Sequence, residues 1–198
     1  METNDKELSP QESLELIHTM INKTKDSVAD NSFYFLLWGW LVFFCCMIQF
    51  ILNVFFQYPN GFFIWLLMPV GGIISGIYGT KQSKKQKVKS IIGESISYLW
   101  LSLFIGFITL VFINAMSIRP WQTALTYYIL LYGIGTFATG RMLRFQPLVI
   151  GGLINFVLAA VSVKFSYDNQ LLIGSAAILI SYIIPGHLLR MRHQHQKI

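Results

Sequence analysis

Side chains able to do acid–base, nucleophilic or metal chemistry are few in this chain, and they are scattered. Cys45 and Cys46 are adjacent in one apolar run. They are read as small apolar residues, because zinc needs more ligands at suitable spacing. His193 and His195 stand two apart, so on a helix they point away from each other; with His187 they read as a solvated tail rather than a metal or pH site. Ser75 and His187 raise the idea of an intramembrane serine dyad, yet Ile73 stands where a Gly-x-Ser-x-Gly motif needs glycine. Glu94 lies at the start of an apolar run, where a helix N-terminus favours negative charge and Lys87 or Lys89 can pair with it. No Asp, Glu, Lys or Arg occupies the middle of any apolar run, which counts against acid–base catalysis and ion-driven transport. No catalytic residue, cofactor or metal ligand is therefore assigned, and an enzyme is not expected.

The remaining polar groups at depth are the amides Gln49, Asn53, Asn114 and Asn155. In hydrocarbon such groups bond across helices, so they form a candidate polar interior, either structural glue or a solute pocket.

The elements that must carry these residues are six uncharged runs: Phe33–Phe56, Gly61–Gly79, Ser95–Ile118, Trp121–Gly140, Pro147–Val163 and Asn169–Gly186. About 20 helical residues cross a hydrocarbon core. With 54% hydrophobic residues and a mean hydropathy of +0.55, the chain is too apolar for an ordinary soluble domain. The runs are continuous rather than alternating, which favours helices over barrel strands. The expected fold is all-α: a polytopic membrane bundle of six transmembrane helices in three hairpins, with an amphipathic cytoplasmic N-terminal helix.

Thirteen of the 15 basic residues fall before the first run, in the even connections or in the tail; only Arg119 and Lys164 lie on the other side. The positive-inside rule then puts both termini in the cytoplasm of a multi-pass protein in a bacterial inner membrane. Trp65 and Trp121 suit the opposite interface. The net charge of +6 reads as this topology signal plus attraction to anionic lipid of the bilayer, and nucleic acid is not an expected partner. The opening residues are acidic and polar, so the first run is expected to act as an uncleaved insertion signal.

Three regions follow: 1–30, a cytoplasmic amphipathic helix; 31–187, the bundle; and 188–198, a basic tail. Ser9, Pro10 and Glu12 make a capping box with proline at the first helical position. Leu14, Ile17, Ile21, Thr24 and Val28 then share one face, a candidate partner-docking face. The helix is expected to stop near Ala29, with Asp30 or Asn31 capping the first span. Residues 1–30 carry seven acidic residues against three lysines, a net of −4. Lipid-surface helices are basic, so docking on the chain's own bundle or on a cytoplasmic or membrane protein partner is expected.

In the second run Gly71, Ser75 and Gly79 recur every fourth residue, as do Gly72, Gly76 and Thr80. Such spacing serves helix packing, within the chain or in a homo-oligomer; Pro69 beside the glycine pair adds a hinge reading. The even runs end at Gly79, Gly140 and Gly186, each followed by basic residues, as C-caps would. Trp38 and Trp100 hold similar places in the first and third runs, a faint sign of a repeated hairpin.

The segment Ser32-Phe33-Tyr34-Phe35-Leu36-Leu37-Trp38-Gly39-Trp40, following Ser9-Pro10-Gln11-Glu12-Ser13-Leu14, resembles uncharacterised bacterial six-helix inner-membrane proteins. The three-hairpin plan is similar in outline to acid-resistance membrane proteins of the HdeD kind. This likeness covers architecture and carries over no functional residue. The expected function is a regulatory, sensing or scaffolding role through the N-terminal helix. The alternative is a small transporter or channel for an uncharged or weakly polar solute, acting as an oligomer.

Overall fold

The first element of the computed structural model, α1, is a single helix from Pro10 to Val54, 45 residues long. At 1.5 Å per residue it spans roughly 68 Å. The structure describes residues 10–85, 91–117 and 123–195, with side chains described from Ser32 onward apart from 82, 83, 85 and 193–195. Pro10 is the first residue described, and the helix is continuous from there. The expected stop near Ala29 does not occur, because residues 11–38 hold neither glycine nor proline to end the helix. The capping residue Ser9 and the side chains of Leu14, Ile17, Ile21, Thr24 and Val28 lie outside the description, as do Lys87, Lys89, Arg119 and Trp121.

A 3₁₀ segment over Gly61–Leu67 follows, then α2 (Met68–Lys85), α3 (Ile91–Met116), α4 (Ala124–Met142), α5 (Gln146–Ser162) and α6 (Tyr167–Ile178). A π-helical turn over Leu179–Ile183 joins α6 to α7 (Ile184–His195). All the secondary structure among the described residues is helical. Four stretches are long and apolar enough to cross a membrane: Ser32–Val54, Gly61–Lys81, Ile91–Met116 and Tyr167–Arg192. The other two expected spans differ for physical reasons. α5 is apolar but only 17 residues long, and α4 is diluted by Tyr127, Tyr128, Tyr132 and Thr126, Thr136, Thr139. Several of these side chains are buried against protein, where polar groups find partners that lipid lacks.

The core lies among α1, α4, α5 and the α6–α7 helix, whose contacts dominate the fold. Phe35, Cys46, Leu148, Leu171, Ile178 and Tyr182 pack together at its centre. α2 rests on α1 and the 3₁₀ segment, α3 rests on α4, and both keep most of their surface outward. The closest pair is α4 with α5. A β-carbon on Gly152 would stand 2.6 Å from the Phe137 nitrogen, and one on Gly140 would stand 2.7 Å from the Val149 nitrogen. The two backbones can approach this far only because these residues lack side chains.

That finding corrects the C-cap reading of Gly79, Gly140 and Gly186. None of the described glycines has positive φ, and the helices run on, α2 to Lys85 and α4 to Met142, while Gly186 sits inside α7. Each is instead a point of close approach: Gly79 to the Tyr34 hydroxyl, Gly140 to α5, Gly186 to Leu36 and Phe35. The left-handed residues are Gln57, after α1, and Arg144, after α4, with φ of 48° and 50°. Pro69 is also reassigned. It is the second residue of α2, in the first turn, where no intrahelical donor is lost.

Candidate functional site

The π turn has an identifiable cause. Pro185 has no N–H, so the carbonyl four residues before it loses its α-helical donor. Just ahead, Ile184 N–H donates to the Leu179 carbonyl, five residues back. The widened turn swings Ser181 and Tyr182 into the bundle, where both are buried.

Tyr182 becomes a hub of aromatic contacts. Its ring meets Phe35 of α1 edge-on at 5.0 Å, Tyr132 of α4 at 5.2 Å and Trp100 of α3 at 6.0 Å between centroids. These are the offset, T-shaped geometries that ring quadrupoles favour. Asn155 of α5 donates through Nδ2 to Ser181 Oγ at 2.9 Å, and Ser181 donates to the Ala177 carbonyl at 2.7 Å. Asn155 Oδ1 and the Tyr182 hydroxyl have no hydrogen-bond partner in the protein, although both are buried. An unpaired buried polar atom costs about 1–3 kcal/mol, so this cluster is where the fold carries its conspicuous unmet bonding capacity.

A second polar group sits near the end of α1. Gln49 Oε1 accepts from Trp65 Nε1 at 2.6 Å and from the Tyr167 hydroxyl at 3.4 Å. Asn53 Nδ2 donates to Asp168 Oδ1 at 2.8 Å, and the Cys45 thiol points at the Ile64 carbonyl, 3.6 Å away. Together these bonds tie α1 to the 3₁₀ segment and to the start of α6. Asn114 stands apart from both groups and bonds the Leu110 carbonyl of its own helix at 2.8 Å. The four amides thus occupy three separate places rather than lining one pocket.

The small-residue ladder divides by face. Gly71, Ser75 and Gly79 turn toward α1: a β-carbon on Gly71 would meet Leu41 and Trp38, and Ser75 Oγ accepts from Trp38 Nε1 at 3.1 Å. Gly72 and Gly76 face open space. Glu94 accepts from the Tyr98 hydroxyl at 3.1 Å. The hub residues Tyr182, Tyr132 and Ser181 were missed in the sequence; Pro185 inside an apolar run was the signal that a distortion lay just before it.

The class these features define is an all-helical protein with several helices apolar enough to enter a membrane. No family model, curated protein or solved structure matches this chain.

Proposed function

We propose that this chain is a non-enzymatic, multi-pass protein of a bacterial inner membrane, with six spans in three hairpins and both termini in the cytoplasm. Its N-terminal helix serves as a regulatory, sensing or scaffolding contact. The observation that carries this reading is the continuity of α1 from Pro10 to Val54. One rod holds the acidic segment 10–30 at one end and gives Phe35, Val42 and Cys46 to the core at the other. A partner that tilts or shifts residues 10–30 moves Phe35 against Tyr182 without an intervening hinge. Replacing Ala29 by proline tests this, since proline breaks the rod while leaving the bundle residues unchanged. Loss of the partner's effect with normal membrane insertion is expected; an unchanged effect would argue against a rigid connection.

A solute path is the second reading, and one observation favours it: Asn155 Oδ1 and the Tyr182 hydroxyl are buried and unpartnered beside a π turn. On this reading Asn155→Leu abolishes flux of a small uncharged solute into proteoliposomes. Wild-type flux no greater than that of protein-free liposomes, or unchanged flux in the variant, would remove it.

A further inference from the structure

We propose that the turn between α4 and α5 is a binding pocket for the phosphate group of an anionic phospholipid. Here the structure holds a cavity of about 300 Å³ lined by Gly140, Arg141, Arg144, Phe145, Gln146 and Val149. Arg192 of α7 lies over the lining residue Phe145, its guanidinium 5.8 Å from the ring centroid. Guanidinium groups are the side chains best shaped for phosphate oxygens, which they bind through paired N–H donors. From residue 95 to the C-terminus Asp168 is the sole acidic residue, and its carboxylate is held by Asn53.

Local geometry opens the pocket. Arg144 takes the left-handed conformation at φ 50°, which turns the chain sharply between the helices. Gly140 has no side chain, and a β-carbon there would press on the Val149 nitrogen and Leu148. α5 starts without a side-chain cap on its first amides, which adds positive potential on the same side.

A lipid source is favoured over free phosphate because the pocket runs directly onto an outward apolar face. Gln146, Ile150 and Leu153 follow one another at helical spacing along α5, and Ile150 and Leu153 are exposed, as is Met142 at the end of α4. A headgroup in the pocket would lay its acyl chains along that face. Basic pockets at the ends of membrane helices bind headgroups in this way.

The test uses the full chain in nanodiscs of phosphatidylcholine with a minor fraction of phosphatidylglycerol, and reads the lipids retained by native mass spectrometry. The wild-type chain should keep phosphatidylglycerol selectively. Arg141→Gln combined with Arg144→Gly, which keeps the left-handed turn, should lower that retention roughly tenfold or more. Lys164→Gln, elsewhere in the fold, should leave it unchanged. Wild-type retention in the double variant, or an equal loss in the Lys164 variant, would overturn the proposal. Inorganic phosphate binding as tightly as phosphatidylglycerol would also overturn the lipid assignment. Photoactivatable phosphatidylglycerol on the wild-type chain gives a readout that needs no variant. Crosslinks concentrated at residues 140–150 are expected, and an even spread over all basic loops would contradict the pocket.

Discussion

Trp100 and Thr139 are joined across the α3–α4 interface by an indole-to-hydroxyl hydrogen bond of 3.2 Å. The same device recurs between α1 and α2, where Trp38 donates to Ser75 at 3.1 Å. In both cases a glycine one turn earlier on the accepting helix, Gly135 or Gly71, leaves room for the indole ring. The Asn155–Ser181 bond ties α5 to the π turn in a related way, with Ala177 one turn earlier. α2 and α3 are thus each tied to a neighbouring helix by a polar bond set beside a small residue.

Replacing Trp100 by Phe removes the donor and keeps most of the ring. A loss of about 0.6 kcal/mol, and no more than about 1.7, is expected for one interhelical bond in a membrane. Adding Thr139→Val should then lose little more, because the bond is already gone. Unfolding in mixed micelles, followed by tryptophan fluorescence, measures both.

The glycines separate into two groups by what surrounds them. Gly152→Ala would drive a β-carbon into the Phe137 backbone, and overpacking of this kind typically costs about 1–3 kcal/mol. Gly72→Ala meets nothing within 4 Å and should be neutral or stabilising by up to about 1 kcal/mol through helix propensity. The same unfolding assay should place Gly152→Ala below wild type and Gly72→Ala at or above it.

Gln49 and Asn114 are both buried amides, yet they should respond differently to Leu. Gln49→Leu leaves the Trp65 N–H and Tyr167 hydroxyl without their shared acceptor, a loss of about 1–3 kcal/mol. Asn114 bonds the Leu110 carbonyl of its own helix, so Asn114→Leu should change stability by about 0.5 kcal/mol or less. Hydrogen exchange in 61–67 should rise for the first variant alone.

The continuity of α1 is a distance prediction. Spin labels at Met20 and Trp40 are 20 residues apart, so one unbroken helix separates their backbones by roughly 30 Å. Pulsed electron resonance should give a single narrow distribution near that value. A broad or much shorter distribution would show a break near Asp30.

Much of the helical content was legible in the sequence, because long uncharged runs have few alternatives in a chain this apolar. What the sequence hid depends on partners across space. A glycine before basic residues looks like a C-cap, and only the approach of Tyr34 to Gly79 or of Val149 to Gly140 reveals a packing role. The stop expected near Ala29 followed a shift from charged to apolar residues, but composition does not end a helix that lacks a breaking residue. The amides Gln49, Asn114 and Asn155 are buried and Asn53 is half-buried, and their separation into three places could be read only from the fold.

The most direct test of a partner-docking rod is photocrosslinking in the native membrane from positions 14, 17 and 21, with mass spectrometry of the products. A docking rod predicts crosslinks to one defined protein, and that protein no longer co-purifies with the chain when residues 1–30 are deleted although the bundle still inserts. Partners unchanged by that deletion, or crosslinks only to the chain itself, would contradict it.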